Sequence, residues 1–138
     1  MSVLDDLYNQ IGNLQAEWQR QAERRAAVQT KIYRLEEAKK KVANEKTDAG
    51  YARDYIKGKI ETHEDSWYGS VYDAVKDIHH DGVNTKFKDY YEDVDYILDE
   101  ICNEITRLEN ENRNLGFILN GIANSINNVS NEIEKWRN

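Results

Sequence analysis

The chain has 138 residues, no proline, 33% charged and 10% aromatic side chains, and a formal net charge of -7. That length favours one domain, and that composition is the profile of long helices or coiled coils rather than of a compact alpha/beta enzyme. The acid excess excludes the basic footprint that nucleic acid requires and opposes attraction to anionic membrane surfaces.

Ser2 with Asp5 forms a capping-box signal that opens a helix at once. Strides of three and four from there pass Leu4, Leu7, Ile11, Leu14, Trp18, Gln21, Arg25, Val28, Ile32, Leu35, Lys39 and Val42, a heptad seam with a polar cluster at Gln21 and Arg25. The basic runs Arg24-Arg25 and Lys39-Lys40-Lys41 lie among glutamates and read as solvated helix faces. The first six residues, Met1 to Asp6, are acidic where a cleaved signal peptide would be basic and then apolar. A cytoplasmic protein is therefore expected, and any secretion would use a route without a classical signal peptide. No apolar run reaches the length needed to span a bilayer.

Gly50 weakens the helix by roughly 1 kcal/mol relative to Ala. Ala49, Ile56, Ile60 and Trp67 nevertheless keep the earlier phase, so the helix is expected to run through Gly50 with local strain. A turn is expected over residues 65–69. Ser70 with Asp73 is a second capping signal, and a helix starting there would bury Val71, Val75 and Ile78. That phase disagrees by about two residues with the one that follows. The mismatch falls on His79 to Asn84 and predicts a kink, bulge or short loop near Gly82.

The strongest pattern comes last. Phe87, Tyr91, Val94, Leu98, Ile101, Ile105, Leu108, Asn112, Leu115, Leu119, Ile122, Ile126, Val129, Ile133 and Trp136 repeat every 3.5 residues, and only Asn112 is polar. Such a seam needs a second helix to cover it. The expected fold is all-α: one domain, residues 1–138, forming a long antiparallel two-helix hairpin of the coiled-coil kind. Arm one spans about 2–64, the turn about 65–69 and arm two about 70–136. With the fold point at residue 67, Asn112 faces Gln21, with Arg25 a turn away. Gln21, Arg25 and Asn112 would then form a buried polar layer that fixes register. Replacing Asn112 with Leu is expected to raise stability while loosening that register.

Chemistry is scarce. His79, His80 and Asp81, with His63 and Glu64, lack the i, i+4 histidine pair of a helical metal site. There is no phosphate-binding glycine loop, and Cys102, the only cysteine, excludes an internal disulfide. No catalysis, metal or cofactor is expected. The nine tyrosines concentrate in the middle third. Tyr90, Ile97, Phe117 and Ile118 lie beside the main seam and read as an apolar flank for further helices.

Trp67-Tyr68-Gly69 is a Trp-x-Gly tripeptide near the midpoint of this proline-free, acidic, all-helical chain. Gly permits the backbone to turn, and Trp can plug the open end of a two-helix seam. With this architecture, and with the stretch YILDEICNEITRLENEN that follows, the chain resembles the WxG (ESAT-six-like) helical-hairpin proteins of Gram-positive type VII secretion. It is most similar to the small helical partners of LXG toxins. The resemblance implies a non-enzymatic targeting partner or chaperone that binds the helical N-terminal domain of an LXG-type toxin and promotes its export. A second small helical protein and the secretion machinery are implied as further partners. The family's export signal is Tyr-x-x-x-Asp/Glu; Tyr91 with Asp95 and Tyr96 with Glu100 both fit, one helical turn apart. Both lie early in the second arm, whereas the family usually carries the signal beyond the paired part. The alternative is a self-assembling structural adaptor, a homodimeric four-helix bundle.

Overall fold

The computed structural model describes residues 2–62 and 70–137. Helix α1 spans Val3–Thr62, α2 spans Ser70–Asp77, a π-helical segment spans Ile78–Val83, and α3 spans Asn84–Arg137. The Ser2 hydroxyl accepts a hydrogen bond from the Asp5 backbone N–H at 3.2 Å, satisfying one of the open donors of the first turn. The fold is the expected all-α helical hairpin, with no strand among the described residues. The Trp67-to-Gly69 turn motif lies outside the described residues, as do His63 and Glu64.

The chain separates into two compact units, Met1–Arg34 with Glu104–Asn138, and Leu35–Asn103. In the first unit, early α1 packs antiparallel on late α3. Its core holds Val28, Ile105, Leu108, Leu115, Leu119 and Ile133, all under 9% exposed. These are seam positions, and two facing helices bury them because each lies at the centre of its own stripe. The stripe ends before the helix does: Trp136 is 56% exposed.

The second unit pairs late α1 with α2, the π-helical segment and the start of α3. Among its described residues Val94 is the buried apolar side chain. Helix α1 continues through Gly50, as expected, but the reason for glycine is proximity rather than strain. A Cβ at Gly50 would lie 3.3 Å from the Tyr91 hydroxyl oxygen.

The phase mismatch before Phe87 is resolved by the π-helical segment Ile78–Val83. A wider helical turn absorbs residues that the 3.6-residue repeat cannot. The half-buried line becomes Val75, His79, Val83, Phe87 and Tyr91, in even strides of four. This corrects the expected face of α2: Val71 and Ile78 are exposed, at 59% and 66%. The segment rotates them outward while it turns His79 inward.

Candidate partner-binding surface and polar sites

In the first unit, the polar residues of the two seams do meet, one turn further along α1 than a fold point at residue 67 gives. Arg25 Nε donates to Asn112 Oδ1 at 3.0 Å, and both side chains are half-buried. Gln21 is not Asn112's partner. Its Nε2 donates to Glu17 at 2.8 Å, and its Oε1 is buried without a hydrogen bond. Gly116 makes room for Arg25, because a Cβ there would lie 3.1 Å from Arg25 Nη2. Beside this layer Arg24 Nη2 meets Glu111 Oε1 at 3.3 Å, and Arg107 reaches the other Glu111 oxygen at 3.6 Å.

The same unit presents Phe117 and Ile118 to solvent, and the second unit presents Tyr90 and Ile97. All four lie on α3 beside the seam rather than in it. Cys102 is half-buried.

The two Tyr-x-x-x-acid pairs differ in environment. Tyr91 is half-buried and stacks on Phe87 at 6.5 Å between centroids. The Arg53 guanidinium sits 5.3 Å from its ring centroid, and Lys46 Nζ 5.8 Å. Such cations over a ring are attracted to its π face. The Tyr91 hydroxyl is buried without a hydrogen bond, and Asp95 is ion-paired with Lys46 across the helices. The first pair is thus tied into the packing of the second unit. Tyr96 is 67% exposed, and Glu100 is exposed on the same face one turn on.

A polar groove of the second unit lies between Arg53, Asp54, Lys57 and Ile60 of α1 and Lys76, His79, His80 and Asn84 opposite. Sequence reasoning placed no site here. The available signal was the spacing: Arg53 and Lys57 at i, i+4, and Lys76 with His79 and His80 at i+3 and i+4. Among the described residues no group of three His, Cys, Asp or Glu side chains is placed to hold a metal ion, and no helix is long and apolar enough to cross a membrane.

Charge perturbations are local. Hydrogen bonds from Gln21 and then Arg20 hold the Glu17 carboxyl below its usual range. A hydrogen bond from Arg107 does the same to Glu104, and that contact raises Arg107 in turn.

The model of the YwqH-like family matches residues 9–131. No curated protein and no solved structure matches the chain.

Proposed function

The chain belongs to the YwqH-like family, and from that premise we propose that it is a non-enzymatic partner of a type VII-secreted LXG-type toxin. It binds the toxin's helical N-terminal domain and promotes its export. The family is associated with WXG and LXG proteins, which supports the class of partner. The observation that carries the reading is that α3 leaves large apolar side chains in water in each unit, Tyr90 and Ile97 in one, and Ile118 with Phe117, at 66% exposure, in the other. Exposed apolar side chains side by side, as Phe117 and Ile118 are, mark an interaction site. Tyr96 and Glu100 are the pair offered to the secretion machinery, because Tyr91 and Asp95 are already engaged.

The test is co-expression of the full chain with the helical N-terminal domain of an LXG-type toxin from the same organism, followed by purification and light scattering. A stable hetero-complex is expected. Phe117→Glu with Ile118→Glu should dissociate it while leaving the helical circular dichroism unchanged. Tyr96→Ala should spare the complex and abolish export. Failure to recover any complex overturns the reading. A homodimer that does not exchange with the toxin domain would replace it with the self-assembling four-helix bundle.

A further inference from the structure

We infer that the groove bounded by Arg53, Lys57, Lys76, His79 and His80 is a binding site for one small oxyanion, a phosphate or a carboxylate group. It is independent of the partner surface on α3. Three basic side chains and two imidazoles line it, beside the carboxylate of Asp54, with Asp81 next to His80. The chain as a whole carries -7, so this concentration of positive charge runs against the average of the surface. Asp54 does not neutralise it. Arg53 Nε lies 3.3 Å from Asp54 Oδ1 with Asp54 exposed and Arg53 half-buried over Tyr91, and a pair with an exposed carboxylate is weak. The outer nitrogen contact of His80, to Asp81 at 3.0 Å, engages Nδ1 alone.

The backbone sets this placement. Continued as a regular α-helix backwards from Phe87, the inner line would pass through His80 and Lys76, and those side chains would lie beneath the helix. The π-helical segment Ile78–Val83 puts His79 and Val75 there instead. Lys76 and His80 are thereby turned to the rim, facing Arg53 and Lys57. Like charges one turn apart on a helix destabilise it. Arg53 and Lys57 stand in that relation on one wall, and an anion seated beside them offsets the repulsion. Arginine offers a planar fork to an oxyanion and lysine a mobile point charge.

The size of the ligand follows from the surroundings. Arg53 and Lys57 span one helical turn, about 5.4 Å, which fits one phosphate or carboxylate. A polyanion such as nucleic acid or an anionic bilayer would extend over the acidic surface beyond the groove and be repelled.

The experiment titrates inorganic phosphate, and separately acetate, into the full-length protein at constant ionic strength set with chloride. The His79 and His80 ring resonances are read by NMR. Saturable shifts of both rings are expected. Arg53→Gln and Lys57→Gln should each weaken binding about tenfold, the size of one charge-assisted hydrogen bond. Lys40→Gln, a remote exposed position, should leave it unchanged. Saturation by phosphate with none by acetate assigns a phosphate-bearing ligand. Equal saturation by acetate assigns a carboxylate, as on an acidic side chain of a bound polypeptide. Shifts no different from those of chloride overturn the site, as does equal affinity in Arg53→Gln, Lys57→Gln and the unmodified chain, whose retained fold circular dichroism verifies.

Discussion

The Arg25–Asn112 contact makes a quantitative prediction about what the polar break in the seams contributes. A hydrogen bond from a charged donor contributes about 1.5–3 kcal/mol when shielded. Both partners are half-buried, so the coupling should lie near the lower figure, about 1.5 kcal/mol, once solvent screening is allowed for. Urea unfolding, followed by circular dichroism at several protein concentrations, measures it through the cycle Arg25→Ala, Asn112→Ala and the double variant. Gly116 supplies an independent corner. Ala at 116 gains about 1 kcal/mol of helix propensity but brings a Cβ to 3.1 Å from Arg25 Nη2. Gly116→Ala should therefore be close to neutral in the unmodified chain and stabilising by about 1 kcal/mol once Arg25 is Ala. Asn112→Leu now has a different expectation from the one the sequence suggested. Leu gains about 1.5–3 kcal/mol by burial, yet it strips a half-buried arginine of its acceptor, and the two effects nearly cancel. Arg25→Met with Asn112→Leu should give the net gain, together with looser register. A coupling below about 0.3 kcal/mol is indistinguishable from additivity and would refute the assignment of a structural role to this contact.

Three further outcomes follow from the geometry. Tyr91→Phe removes a buried hydroxyl without a hydrogen bond and should raise stability by about 1 kcal/mol; Gly50→Ala, unfavourable against the tyrosine oxygen, should become stabilising in that background, and urea midpoints decide both. Glu17 and Glu104 have folded carboxyls held below the usual 4.5, so their contribution is present above that pH and lost as pH falls through the lowered values. The melting temperature should drop below about pH 4.5, less steeply in Glu17→Gln with Glu104→Gln, and identical slopes would dismiss these pairs. Hydrogen exchange should be at least about tenfold faster over residues 87–100 than over 105–119, because among the described residues Val94 is the buried apolar side chain of the second unit while the first has six.

Periodicity reveals which face of a helix turns inward, and most seam residues are where their spacing places them, while Trp18 and Trp136, expected in the seams, are 39% and 56% exposed. It also located the irregular segment, since Val75 and Phe87 cannot share one α-helical stripe. It could not say that the repair would be a π-helical turn, nor that Val71 and Ile78 would consequently face water. The register error at Gln21 has a similar cause. Residue counting from an assumed fold point carries no energy term, whereas Arg25 is fixed by a hydrogen bond and by the missing side chain of Gly116. The polar contacts of the second unit were illegible for another reason. Lys46, Arg53 and His79 occupy inward positions, but charged residues do not register as seam in a hydrophobic pattern. The opposing ring of Tyr91 and the carboxylate of Asp95 make the positions of Lys46 and Arg53 favourable.

A two-helix layer covers each seam from one side, which limits how the α3 flank can work. Val28 is the one α1 seam side chain buried below 9% exposure, and its neighbours Leu14, Ile32 and Leu35 stay half-buried. Covering Tyr90, Ile97, Phe117 and Ile118 completely would remove roughly 350–400 Å² of apolar surface, about 9 kcal/mol at 25 cal/mol per Å². Association costs of about 4–15 kcal/mol consume most or all of that. Those four side chains alone would therefore give weak binding. A stable complex requires the partner to close the half-covered seam edges as well, and elongated helices laid along α1 and α3 can do so. A short or globular partner cannot. Truncating a bound helical domain from either end should thus weaken affinity progressively, with no single turn accounting for the loss.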